Sequence, residues 1–93
     1  MHVKDYEKLL RSKFHFVLER QGNHIFYILE LDELKPVRTF VGRHAGEDIS
    51  SDRESDYAHE LYVSRKQFRM MFSCTMSCDE YYDSLRNNTA LNS

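Results

Sequence analysis

The spacing of apolar residues switches from a helical period to an alternating one near residue 14, and back again near residue 51. Val3, Tyr6, Leu9 and Leu10 recur at helical spacing and predict a short amphipathic helix over residues 3–12. The run from Phe14 to Arg20 is rich in β-formers and partly alternating, which predicts a strand. Gly22-Asn23 then supplies a two-residue turn, with Gly able to take positive φ. A second strand is expected from His24 to Leu31, a turn from Asp32 to Pro36, and a third strand from Val37 to Val41.

Two registers follow. With Gly22-Asn23 as the loop, Gln21 faces His24, and Leu18, Phe16 and Phe14 fall opposite Tyr27, Leu29 and Leu31. Centring the second hairpin on Leu34 puts Glu30 opposite Arg38, a favourable charge pair, with Ile28 opposite Phe40 and His24 opposite His44. Both registers give the same faces. Phe14, Phe16, Leu18, Ile25, Tyr27, Leu29, Leu31, Val37, Thr39 and Val41 point inward, where helices should cover them. His15, Val17, Glu19, His24, Phe26, Ile28, Glu30, Arg38 and Phe40 point outward. So apolar an outer face implies a partner, a homodimer or a ligand surface, or else a C-terminal segment folded over it.

The second half is helical and punctuated by three capping boxes: Ser51-x-x-Glu54, Ser64-x-x-Gln67 and Ser77-x-x-Glu80. Short helices are expected near 51–61, 64–73 and 77–87. Val63 with Phe68, and Met76 with Tyr81, sit where hydrophobic staples would be. Leu61, Phe68, Met71, Phe72, Tyr81 and Leu85 read as core, and the tail after Asn87 as frayed.

Composition narrows the class. Ninety-three residues make one domain with a modest core, and the 41% hydrophobic content is that of a globular chain. No apolar run approaches the roughly 20 residues of a membrane span, and the opening Met1-His2-Val3-Lys4-Asp5-Tyr6 is unlike a signal peptide. A cytoplasmic protein is expected. Cys74 and Cys78 then read as reduced thiols, since no second ligand pair stands at a zinc-like spacing. The net charge of −2 hides an asymmetry: residues 1–46 carry eight Lys/Arg against six Asp/Glu, and residues 47–93 carry five against nine. A dedicated nucleic-acid binder is usually more basic, although a local basic patch suffices.

The order helix–strand–strand–strand–helix, with a Gly-containing turn running straight into a His, resembles the HicA family of RNA-cleaving toxins. The resemblance lies in Lys8-Leu9-Leu10, Phe14-x-x-Val17, Gln21-Gly22-Asn23-His24-Ile25-Phe26 and Arg43-His44-Ala45-Gly46-Glu47-Asp48-Ile49. It covers about residues 6–62; Val63-Ser64-Arg65-Lys66-Gln67-Phe68 onward is similar to the C-terminal extension of longer relatives. It implies an α+β fold like the double-stranded-RNA-binding domain, a three-stranded antiparallel sheet with helices on one face. The domain would span residues 1–87, with 63–87 as a helical extension and 88–93 as the tail. It also implies cleavage of mRNA by a histidine at the start of the second strand, without metal or cofactor, and a HicB-like antitoxin as protein partner.

Such cleavage needs a group to take the 2′-OH proton, charge to stabilise the phosphorane, and an acid for the leaving 5′-oxygen. Histidine titrates near neutrality and serves in either proton transfer. His24 is the candidate, with His44 as the second imidazole across the hairpin. Arg20 and Arg43 flank the same end of the sheet as phosphate ligands. Gly22 and Asn23 form the RNA-facing turn, which also gives both a purely structural reason to be there. Many family members carry two consecutive histidines where this chain has Asn23-His24. The alternative is therefore a non-catalytic RNA- or protein-binding module on the same fold. His2, His15 and His59 show no convergent partners in sequence, and Arg65, Lys66 and Arg69 read as a solvated helical face.

Overall fold

Helix α1 (Val3–Ser12) turns Val3, Tyr6 and Leu10 to one side and buries all three completely. In the computed structural model, residues 2–41, 48–73 and 75–91 are described. After α1 come β1 (Val17–Gln21), β2 (His24–Leu29) and β3 (Val37–Phe40), then α2 (Ser51–Glu60), α3 (Arg65–Phe72), α4 (Cys78–Arg86) and a 3-10 turn at Thr89–Leu91. The strands form one antiparallel sheet in the order β1-β2-β3. This is an α+β fold, and its core lies between one sheet face and the helices.

The first hairpin pairs as its turn chemistry predicts, with Gln21 opposite His24 and Leu18 opposite Tyr27. Its first strand, however, begins at Val17 instead of Phe14. His15 takes φ +62°, so residues 14–16 form the exit from α1: Phe14 N–H donates to the Leu9 carbonyl and Phe16 N–H to that of Leu10. Phe14 and Phe16 are still buried, but in the helical layer's contacts rather than in a ladder; Phe14 meets Tyr81 edge-on at 5.3 Å.

The second hairpin departs from its expected register by two residues. Phe40 faces Phe26, not Ile28, and Arg38 faces Ile28, not Glu30. The turn centres on Glu33, which adopts φ +67°, because Leu34 packs against the core and so cannot occupy the tip. A two-residue shift preserves side-chain parity. The expected inner face is thus buried or half-buried except at Leu18, which is 36% exposed near the start of β1 on the sheet edge.

Two capping boxes form as expected, at Ser64 with Gln67 and at Ser77 with Glu80. The first does not. Ser50, not Ser51, caps α2 by accepting from Arg53 N–H, which leaves Glu54 to pair with Arg69 at 2.7 Å and Arg65 at 3.6 Å. Of the tail expected to fray, residues 88–91 instead turn back: Leu91 is fully buried and its carbonyl accepts the Lys35 N–H, while 92–93 lie outside the described residues. Two tyrosines tie α4 to the rest, Tyr81 donating to the Leu61 carbonyl and Tyr82 to that of Phe14. Among the described residues, no helix is long and apolar enough to cross a membrane.

One polar chain crosses the core. Glu60 Oε1 accepts both the Phe40 N–H and the Thr39 hydroxyl, each at 2.8 Å. Thr39 therefore has only its oxygen to offer Tyr6, whose hydroxyl must donate, also at 2.8 Å. Thr39 and Tyr6 are both fully buried, and the Tyr6 ring stacks on Tyr57 at 4.3 Å. Replacing Thr39 with the near-isosteric Val strands the Tyr6 hydroxyl in the core, so Thr39→Val should lower the unfolding free energy by about 1–3 kcal/mol. Adding Tyr6→Phe should recover part of that loss. Urea denaturation of both variants checks this; fully additive penalties would refute the coupling.

Burial raises the pKa of Tyr6, Tyr27, Tyr57, Tyr81 and Tyr82 above the ordinary phenol value. In the unfolded chain these phenols ionise near pH 10, as phenols generally do. The unfolded state then holds fewer protons than the folded one, so stability is retained below about pH 10 and lost as pH rises above it. Tyrosinate absorbance should accordingly appear in one step with loss of the helical circular dichroism. A gradual rise with intact dichroism would contradict this.

Candidate functional site

The end of the β1–β2 hairpin is built by its turn. Gly22 takes φ +62° while Asn23 stays outside the left-handed region, and the chain re-enters the ladder at once with His24. His24 is exposed and lies on the outer sheet face, the one turned away from the helices. Its ring lies 5.3 Å from Phe40 and 6.5 Å from Phe26, and those two rings are 5.1 Å apart as a cross-strand pair. The Arg38 guanidinium sits over Phe26 at 4.0 Å and reaches Glu19 at 3.5 Å. Gln21 donates to the same Glu19 oxygen at 2.6 Å.

This is the outer face anticipated from the alternation, and among the described residues it is open. Val17 is 68% and Phe40 40% exposed, while Phe26 and Ile28 are half-buried. The C-terminal segment does not fold over it: Tyr81, Leu85 and Leu91 join the core on the other side. Stacking of Arg38 on Phe26 contributes roughly 0.5–1 kcal/mol at an exposed site, and its solvated pairing with Glu19 adds little. The partner of Arg38 is Glu19 and not the expected Glu30, a direct result of the shifted register.

The other expected site residues divide into two groups. Arg20 is exposed and pairs with Ile25, so alternation places it on the opposite face from His24 at the same end of the sheet. Asn23 is exposed in the turn. Arg43 and His44 lie outside the described residues, as does Cys74. The expected pairing of His24 with His44 rested on Ile28 facing Phe40, which is not the register formed. Cys78 is a half-buried thiol beside Tyr82. The third-helix cations Arg65, Lys66 and Arg69 are all exposed, as expected of a solvated face, and Arg65 and Arg69 also pair with Glu54.

Among the described residues, His24 makes no hydrogen bond or ion pair; its neighbours are phenyl rings. Such a site offers one exposed imidazole for proton transfer beside two mutually tilted phenyl rings, side chains of the kind on which unpaired bases stack. The sequence reading missed Glu60, because a carboxylate that serves a strand edge from a distant helix has no local signature. It also passed over Lys4, Lys8 and Arg11, although their helical spacing was there to be seen.

The class that the architecture defines is an α+β domain, with a three-stranded antiparallel sheet and four α-helices among the described residues. Comparisons of the chain with protein-family models, with curated proteins and with solved structures find no match.

The turn makes its own prediction. A Cβ added at Gly22 would meet nothing within 4 Å, so any cost of substitution is that of the left-handed backbone. Gly22→Ala should destabilise the protein by about 1–2 kcal/mol, and Gly22→Asn by less, since Asn tolerates that conformation. Thermal unfolding ranks the three proteins; an Ala variant as stable as the wild type would show that the turn can relax.

Proposed function

We propose that the protein is a HicA-like endoribonuclease on a fold of the double-stranded-RNA-binding type, cleaving mRNA by histidine acid–base chemistry. The observation that carries this is the placement of His24. It is exposed, leads the second strand directly after the Gly22-Asn23 turn, and borders an open aromatic face. In this reading the 2′-oxygen attacks the adjacent phosphorus, the bond to the 5′-oxygen breaks, and a cyclic phosphate and a 5′-hydroxyl result. His24 removes the 2′-OH proton or protonates the leaving oxygen, and His44 supplies the complementary transfer. Arg43 offsets the charge gathering on phosphorus, Arg20, on the other face at the same end of the sheet, holds the RNA beyond the scissile phosphate, and Gly22 and Asn23 keep the turn clear of the strand being cut. A HicB-like antitoxin would inhibit by covering the open face.

A second reading has its own support. The described neighbours of His24 are rings, not a second acid or base. That arrangement suits a binding module in which Phe26 and Phe40 stack bases and no bond is broken.

Incubating a long single-stranded RNA with the protein and EDTA separates the two. The wild type should cleave, and His24→Ala, shown to be folded, should be slower by at least about 100-fold, the lower end of what general acid–base catalysis contributes. Equal background in both would leave the binding module.

A further inference from the structure

The strongest unassigned feature is a groove of about 730 Å³ between α1 and β1. One wall is a row of cations, Lys4, Lys8 and Arg11, spaced i, i+4 and i+7 along α1. At 1.5 Å per residue, the row is about 10 Å long. The other wall is the β1 edge at Val17 and Leu18, and Tyr27 forms part of the lining. Glu7 also lines the groove, but the Tyr27 hydroxyl donates to its carboxylate at 3.3 Å, and Arg11 lies beside the same hydroxyl. Lys4 and Lys8 have no ion pair among the described residues. In a chain of net charge −2, three cations lining one groove call for an anionic occupant.

We infer that this groove is the track for the phosphodiester backbone of single-stranded RNA, leading it along β1 to Arg20 and the Gly22–His24 turn. The inference rests on RNA being the ligand, as proposed above, though not on cleavage. The direction follows from the fold. The C-terminal end of α1 runs within four residues into the start of β1, and Glu7 and Arg11 stand opposite Tyr27, the cross-strand partner of Leu18. Lys4, one turn earlier, therefore lies toward the hairpin end, where Arg20 follows Leu18 on the same face of β1. A single row of cations beside an apolar wall suits one strand, with phosphates on the lysines and sugars or bases against Leu18 and Tyr27.

The test measures binding of a 2′-O-methyl oligouridylate, which has no 2′-hydroxyl to attack, by fluorescence anisotropy across a salt series. Wild type should bind with marked salt dependence. The K4Q/K8Q/R11Q variant should bind at least about tenfold more weakly, with a log–log salt slope smaller by about 2, since each lost contact to a single strand removes about 0.7. K66Q/R86Q, altered on α3 and α4, should match the wild type. Equal binding by both variants, each folded, would overturn the groove while leaving RNA as the ligand. No binding by folded wild type would overturn both the groove and the RNA reading. A poly-glutamate peptide that binds wild type but not the triple variant, with no RNA bound, would assign the groove to an acidic protein segment and overturn the inference. Binding through the groove without cleavage in EDTA would uphold it and remove only the nuclease.

Discussion

The carboxylate of Glu60 joins three parts of the fold that lie far apart in sequence. It accepts the outward N–H of Phe40 and the hydroxyl of Thr39, and through Thr39 it fixes the hydroxyl of Tyr6. The end of α2, strand β3 and the middle of α1 are thereby placed in one arrangement. A buried polar chain of this sort is stable only when every member is satisfied, so it tolerates few alternative packings. It also occupies part of an edge that would otherwise offer an unpaired backbone donor to another chain. With β3 attended by α2, the exposed features of the sheet are its outer face and the β1 edge, and both candidate surfaces lie there.

Much of this fold was legible because parity and capping are local. The alternation from His24 to Leu29 fixes which side chains point inward whatever the register, and a two-residue slip at the second hairpin left that assignment intact. Gly22-Asn23 fixed the first hairpin, because a two-residue loop admits few geometries. What failed depended on tertiary contact. Leu34 was taken for the tip of a turn, yet its burial moved the tip to Glu33. Ser51 with Glu54 made an acceptable box, but Arg65 and Arg69 on the next helix give Glu54 stronger partners, and Ser50 takes the cap. His15 read as a strand residue because nothing in its neighbours announces a left-handed exit; the positive φ has no glycine to signal it.

The site was legible in part for the same reason. His24 follows a turn with strong chemistry, so its position at the strand start could be foreseen. Its aromatic surroundings could not, since they depend on which residue of β3 faces Phe26. Had Ile28 faced Phe40, the two rings would not form a cross-strand pair, and Arg38 would be set against Glu30 instead of Ile28. The observed register gathers His24, Phe26, Phe40 and Arg38 into one patch.

Overall charge proves a poor guide to the surface. The acidic second half counts against an RNA ligand when charges are summed along the chain. In the fold, Glu60 is bound to β3 and Glu54 to two arginines, so part of that acidity is answered within the structure. The cations of α1 are placed differently: Lys4, Lys8 and Arg11 share a groove with one carboxylate, Glu7, which leaves a local excess of positive charge. Fields near a surface are set by nearby charges, because at physiological salt anything beyond about 8 Å is largely screened. An anion approaching the α1–β1 groove therefore responds to that local row rather than to the net charge of the chain. A protein of mild negative charge can thus keep one cationic track, provided its acids are held elsewhere by the same contacts that build its core.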